Sequence, residues 1–563
     1  MIKQKIHMRN IFTILLVLFS YLGSMAQNIK PVAAKIAEIE RLGLPFYESN
    51  IFTTAAPDEQ LLINLNRTLS KFEVLEFNAP AINALYNLNP ERISFKIPGS
   101  NGSFREVKLF RSKVISSDFK VVSSQNPNST EPYQQGLHYW GTLDGDVNSI
   151  AAISIYKNEI MGLFSSLQEG NMVLGKIEKD PLSRHVFYND AHMKVSNLIE
   201  CATADDGTSY VAEDFDAPSR ATANCVKWFW EVNTDIFNNK GSITNAVNYV
   251  TGLFNQSAII YFNDSISVEL VEVFVWTTTS PYTGSSTSSY LSQFQNYRNS
   301  ITGDMAHLLG YGGSGGIAAG FNGICASNLN SSQCYSGINS SYNNVPTYSW
   351  SVMVVTHEQG HLMGSRHTHA CVWNGNGSAI DNCGPTAGYG YEGSCSSAPT
   401  PVGGGTIMSY CHLVGGVGIN LANGFGPQPK AVIINRVVNG SCLSDCLGNT
   451  CLPSANMSTN SVGNATATFN WAAVPGAVSY NLRYRIEGTS TWTNVNSITT
   501  SYNASGLTPG SNYEWQVQTI CQSGSSIYSI STTFITIPLP VMYRIILPPL
   551  LFIPIMQASL GLR

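Results

Sequence analysis

Residues 353–367 read Met353-Val354-Val355-Thr356-His357-Glu358-Gln359-Gly360-His361-Leu362-Met363-Gly364-Ser365-Arg366-His367. Apolar Met353, Val354, Val355, Leu362 and Met363 flank a polar centre, a pattern that predicts a buried helix. His357 and His361 are four apart, so they project from one helix face, one turn from each other. Two imidazoles at that spacing reach a single Zn²⁺ at ~2.0–2.1 Å. Glu358 is next in sequence and points to the side, where it reaches a water at the metal rather than the metal. Gly364 accepts the left-handed backbone that ends a helix. The chain then turns and His367 returns as a third ligand. Three histidines leave a fourth position open, which a catalytic zinc requires. In that arrangement Glu358 takes a proton from the attacking water and delivers it to the leaving amine.

Downstream lies Thr406-Ile407-Met408-Ser409-Tyr410. Together with the extended histidine motif it resembles the Met-turn of the metzincin zinc proteases. The resemblance implies that Met408 forms an apolar floor under the histidines and is no ligand. It also implies that Tyr410 stands near the metal, where a phenol can stabilise an oxyanion. A packed core tyrosine is the alternative. His369 and His412 read as supporting or exposed residues near the site, and His307 as structural.

Within the metzincins the chain is most similar to the reprolysin-like (adamalysin-like) branch. Ile301-Thr302-Gly303-Asp304-Met305-Ala306-His307-Leu308-Leu309, then Gly315 to Gly320, then Cys325, resemble that branch's helix, edge strand and cysteine. Leu137-His138-Tyr139-Trp140-Gly141-Thr142-Leu143, with Ser149 and Gly162, resembles its propeptide. Ser409, which follows Met408, and Tyr410 depart from the branch's pattern, and no cysteine-rich disintegrin-like segment follows. The likeness implies an α/β catalytic domain with a mixed sheet and an active-site helix. It implies that the edge strand near Gly316 to Phe321 pairs with extended substrate, and that Val414 to Ile419 line a substrate pocket. A Ca²⁺ site would draw on Glu231 and Asp304. Many relatives hold the zinc shut with a propeptide thiolate, and Cys201 is the candidate here. A disulfide is the alternative for Cys201. Cys225, Cys325, Cys334, Cys371, Cys383, Cys395, Cys411, Cys442 and Cys446 are odd in number, and Cys201 would make them even.

The flanks set the context. Lys3, Lys5 and Arg9 precede the apolar run Ile11 to Leu22, and small residues lead to a cut after Ala26. This is a secretory signal peptide over residues 1–26. Export suits the twelve cysteines, which read as disulfides. No histidine partners Cys442, Cys446 and Cys451, so they form no zinc site. Residues 27–221 form a β-rich propeptide, opening with a helix (Val32, Ile36, Ile39, Leu42) and carrying strands at 149–155 and 160–164. Its end, Ala202 to Arg220, reads as an exposed acidic linker, with processing near Arg220. Residues 222–446 form the catalytic domain. Strands are expected at 226–232, 259–262 and 268–276, and helices at 243–254 and 290–301. Residues 451–536 carry recurring strands, with Trp471, Tyr480, Leu507, Pro509 and Tyr513 marking a resemblance to a fibronectin type III module, an all-β sandwich. Cys451 and Cys521 would pair within it. The tail, 537–563, is apolar but broken by prolines. It reads as a membrane span or as a damaged end of the gene.

Hydrophobic residues make up 43% and charged residues 12%, and the net charge is -5. That composition argues against disorder and gives no electrostatic case for nucleic acid or an anionic membrane. The reading is a secreted zinc metalloendopeptidase, made as a zymogen, monomeric, with protein or peptide substrates and a bacterial source. A binding protein on a degenerate protease fold would be expected to lose Glu358 or a histidine, and all four are present. A zinc hydrolase of non-peptide substrates lacks support from the Met-turn and propeptide features.

Overall fold

Leu137–Leu143 and Ile150–Tyr156 are buried at every residue, and Glu159–Ser166 at every residue but the first. Strands of this kind do not alternate polar with apolar because both faces of their sheet are covered. In the computed structural model of the chain they form the centre of a ten-stranded sheet. The model describes residues 29–539, except 99–102, 179, 195–200, 217–223, 339–344, 447–450, 452, 475–476 and 522–523. The signal-peptide reading of 1–26, the processing position at Arg220 and the tail from 540 onward lie outside the described residues.

The ten-stranded sheet runs, edge to edge, through strands beginning at Tyr47, Arg92, Phe104, Leu137, Ile150, Glu159, Gly170, His185, Glu73 and Phe52. Neighbours are antiparallel except the first pair. One face packs on the helix Ala79–Leu88 through Ile82 and Leu85. The other face packs on the long helix Ile243–Asn263.

That helix corrects the expectation of a helix to residue 254 followed by a strand at 259–262. The β-branched and aromatic run Ile259-Ile260-Tyr261-Phe262 favours a strand locally. Here both sides of the helix are covered, by the ten-stranded sheet and by a second sheet, and burial overrides the local preference. Several of its polar residues bond to the neighbouring layers, while the buried Gln256 side chain finds no hydrogen-bond partner among the described residues. The Asn255 side chain donates to Ile153 O and the Ser154 hydroxyl at 3.1 Å each, and Trp140 Nε1 donates to Asn255 O at 3.1 Å.

The second sheet orders the strands Gly315–Ala318, Gln333–Gly337, Met305–Gly310, Asn224–Val232, Val268–Val275 and Ile115–Ser123. All pairs are parallel except the edge strand Gly315–Ala318, which is antiparallel to its neighbour. Ile115–Ser123 comes from the N-terminal unit and is inserted beside Val268–Val275. The two units therefore share a core, in which Trp140, Ile150 and Met161 join Trp230, Phe254 and Val355. Fully burying such side chains is worth roughly 1.5–3 kcal/mol each. Residues 301–309, expected as a helix by resemblance, hold instead the fully buried strand Met305–Gly310. Its apolar residues fill both faces of a central strand between Asn224–Val232 and Gln333–Gly337.

Residues from Ser458 to Ile535 fold as two facing antiparallel sheets. Trp515 is fully buried, with Phe469 stacked on it at 4.7 Å. Cys451 pairs with Cys521 as expected. The other disulfides among the described residues are Cys225–Cys446, Cys325–Cys442, Cys371–Cys395 and Cys383–Cys411. Cys201 and Cys334 are free. The odd cysteine among residues 222–446 is thus the buried Cys334, not a partner for Cys201. Among the described residues, no helix is long and apolar enough to cross a membrane.

Candidate active site

The helix Tyr348–Leu362 is buried along its whole length. It packs against the long helix and the edge strand. Gly360 lies where a Cβ would meet Met408 Sδ and Phe425 Cε1, each at 2.8 Å, so only glycine lets the helix lie this close to the Met408 loop. The helix ends at Gly364, whose φ is 109°. Ser365 N then donates to Gly360 O at 3.0 Å. The turn folds His367 back over the last helical residues.

His357, His361 and His367 meet at this turn. Their Nε2 atoms converge, with His361 Nε2 at 3.1 Å from each of the other two. Each Nδ1 faces an acceptor: Ile407 O at 2.7 Å, Ser365 O at 2.7 Å and Glu392 Oε1 at 2.6 Å. An Nδ1–H so engaged fixes the tautomer and leaves each Nε2 lone pair facing the common point. Burial, and the histidines' mutual repulsion, hold His357 and His361 well below the usual imidazole range. Neutral imidazoles aimed at one point fit a zinc ion.

Glu392 was not foreseen from the sequence, where nothing local marks it. It reaches the site because Cys371 N donates to its backbone carbonyl at 2.8 Å, and Cys371–Cys395 closes the loop that carries it. Closing a loop of that size is worth about 3 kcal/mol on the chain-entropy account. Burial alone would raise the Glu392 carboxyl, but the hydrogen bonds to His367 and His369 bring it well below the usual range. His369, buried, stacks on His367 at 5.0 Å and shares this carboxylate. His412 is half-buried, 6.0 Å from the Tyr410 ring. His307 sits in the sheet core, 2.9 Å from Ser336 Oγ, as a structural residue.

Glu358 is fully buried, and burial pushes its carboxyl up to about 8. It lies against the edge strand: a Cβ on Gly316 would strike Glu358 Cγ and Oε1. Met408 is fully buried beneath the helix. Tyr410 packs its ring on His367 at 4.8 Å and donates its hydroxyl to Cys201 O at 3.1 Å. It is thus both packed and placed beside the histidines.

Cys201 Sγ lies 3.4 Å from His361 Nε2 and 3.6 Å from Glu358 Oε2. It completes a four-residue metal-ligating cluster with His357, His361 and His367. Burial and the nearby Glu358 push its thiol pKa up. The segment after it is exposed at ten of the fifteen residues from 202 to 216, as expected of a linker, but it is anchored at Thr203 and Tyr210, which are buried. Thr203 is buried, its hydroxyl donating to Glu358 Oε2 and accepting from Ala318 N. Ala202 N donates to Gly316 O, and Tyr210 OH to Gly364 O. Two of its acidic residues, Asp205 and Asp206, pair with Arg366.

The calcium expectation finds no support. Glu231 accepts hydrogen bonds from Trp276, Tyr282 and Arg298 at 2.6, 2.6 and 2.7 Å. Its charge is matched by the guanidinium. Asp304 accepts from Lys227 N at 2.7 Å across the sheet.

No curated protein matches the chain. Among solved structures, one titled a myokine structure matches with 16% identity, covering 16% of this chain and 100% of its own, at a TM-score of 0.15. A redesigned β-sandwich protein matches with 22% identity over the same shares, at 0.15. The chicken CNTN1 FN1–FN3 domains match with 17% identity over 16% of this chain and 33% of theirs, also at 0.15. Residues 229–415 match the reprolysin model of metallo-peptidase family M12, and residues 453–535 match the fibronectin type III domain. The chain therefore carries a segment that matches metallo-peptidase family M12 followed by one that matches the fibronectin type III domain.

Proposed function

We propose that the protein is a secreted zinc-dependent metalloendopeptidase, made as a zymogen, that hydrolyses peptide bonds of proteins. The observation that carries this reading is the convergence of three Nε2 atoms beside Glu358, with Cys201 facing the same point. His357, His361 and His367 would hold the zinc, which when bound supplies a Lewis acid to polarise the scissile carbonyl.

The rest is the work of this chain's own side chains. Glu358, raised by burial, takes a proton from the attacking water at a carboxylate oxygen and returns it to the leaving nitrogen. Tyr410 OH, which donates to a backbone carbonyl in this structure, would donate in the same way to the developing oxyanion. The edge strand Gly315–Ala318, whose Gly316 O and Ala318 N are held by Ala202 N and Thr203 Oγ1, would offer those backbone groups to extended substrate once that segment leaves. Met408 supports the histidines from below. Residues 27–221 act as the inhibitory propeptide and 222–446 as the catalytic domain, followed by the module at 451–536. Cys201 and the segment after it fill the groove that substrate would use, which is the physical content of latency. Five disulfides and a fibronectin type III domain suit the extracellular space.

The test is hydrolysis of casein by the processed protein, with and without a zinc chelator, beside Glu358→Gln. The expected result is zinc-dependent cleavage that is lost in the variant while zinc stays bound. Cleavage that persists in Glu358→Gln removes Glu358 as the base. No cleavage by zinc-loaded, processed protein removes the endopeptidase reading.

A further inference from the structure

The segment from Cys201 to Asp216 contains Asp205, Asp206, Glu213, Asp214 and Asp216 and no basic residue. Cys201 is bridged to Gly316 of the edge strand, and Thr203 accepts from Ala318 N. It therefore lies in the groove as an extended peptide would. Four and five residues beyond Cys201, Asp205 and Asp206 meet Arg366, with Arg366 Nε at 3.0 Å from Asp205 Oδ1.

Arg366 is an uncommon residue to find buried, its side chain only 4% exposed. Its guanidinium is clamped between the Tyr210 ring at 5.0 Å and the Phe321 ring at 4.5 Å. The two sides of this clamp have different origins. Phe321 follows the edge strand, and Arg366 precedes the third histidine. Both belong to the protease segment. Tyr210 and the two aspartates belong to the segment that fills the groove. Displacing that segment strips the guanidinium of both carboxylates and one ring while leaving it backed by Phe321. A partly buried guanidinium without its counter-charge is costly, and its fork of donors matches a carboxylate. The same polarity continues further along. A cavity of about 370 Å³ is lined by Phe321, Asn322, Asn435 and Arg436, with Glu213 and Asp214 opposite.

We infer that Arg366 is a specificity-determining residue that receives an acidic side chain of the substrate, about four residues from the scissile bond. The inference rests on the endopeptidase reading and deepens it: the substrate class is protein with an aspartate or glutamate at that spacing. Asp205 and Asp206 hold the place that this substrate side chain takes.

The test uses the zinc-loaded, processed protein and peptide pairs that differ only by aspartate or asparagine. The varied position is moved from three to six residues from the bond, on each side. The expected result is about a tenfold higher kcat/KM for aspartate at one position, the scale of a charge-assisted pair. Arg366→Gln should level the two rates. Arg366→Glu should favour lysine over aspartate there. Each ratio is taken within one preparation, so a general loss of activity or of folded protein cancels. Equal rates for aspartate and asparagine at every position in the parent protein overturn the assignment while leaving the endopeptidase reading intact. Cleavage of no peptide at all overturns both.

Discussion

Cys201 Sγ and His361 Nε2 stand 3.4 Å apart, closer than any water could fit between them. A thiol there stands at the point where the three Nε2 atoms converge. Cys201→Ala should therefore raise the residual peptidase activity of the uncut chain, by tenfold or more on the order of a lost ligand. Fluorogenic peptide hydrolysis by intact protein measures it. An uncut variant as silent as the parent would show that Thr203, Asp205 and Asp206 suffice to keep the groove shut.

His367 owes its orientation to Glu392, 2.6 Å from its Nδ1. Glu392→Gln keeps the size but removes the charge that favours the ligating tautomer. Zinc affinity should fall by about 10–100-fold, read by competition with a chromophoric chelator. The Nδ1 atoms of His357 and His361 face backbone carbonyls, so no equivalent substitution exists for them. Unchanged affinity would mean that the Cys371–Cys395 loop positions His367 without the carboxylate.

Glu38 is 1% exposed, and neither carboxyl oxygen has a hydrogen-bond partner among the described residues. Burial pushes it up to about 8, with Lys35 pulling the other way. The unfolded chain releases this proton near 4.5, so the protonated group favours the fold fully below that pH. The contribution is lost as pH rises through about 8. Wild-type Tm should fall between about pH 5 and about pH 9, and Glu38→Gln should flatten that fall. A parallel decline in both proteins would assign the pH dependence elsewhere.

No disulfide can tie the N-terminal unit to the protease, because Cys201 is the only cysteine before Cys225 and it is free. The strand Ile115–Ser123 nevertheless lies in the protease sheet, and Lys30 Nζ reaches Ala422 O at 2.7 Å. Asn171 and Asn420 add hydrogen bonds across the same boundary. A chain cut between the two units should run as one body in native size-exclusion chromatography and separate only in denaturant. Separation in neutral buffer would show that the shared core is weaker than its burial suggests.

The zinc motif was readable because its information is local. His357, His361 and Gly364 need only helix spacing and one left-handed turn. The Cys451–Cys521 pair was readable for a similar reason, since it closes a module with its own core. Glu392, and the contact of Gly316 with Glu358, were not readable, because each acts through a neighbour distant in sequence. The inserted strand Ile115–Ser123 was hidden too: its partner Val268–Val275 lies far down the chain. The strand expected at 259–262 failed because a helix covered on both sides tolerates residues that prefer strands. The exposure of the acidic run after Cys201 was readable, but its pairing with Arg366 was not, because the two lie about 160 residues apart.

The inserted strand also bears on how such a gene can be rearranged. The fibronectin-type module has its own core and disulfide, and Arg41 donates to backbone oxygens of Tyr528 and Ser529 across its boundary. It can be moved to another protein as a piece. The protease cannot. A duplication that began at residue 224 would inherit a sheet lacking its last strand and a long helix with one side bare, so the heritable unit of this segment includes the N-terminal half as well.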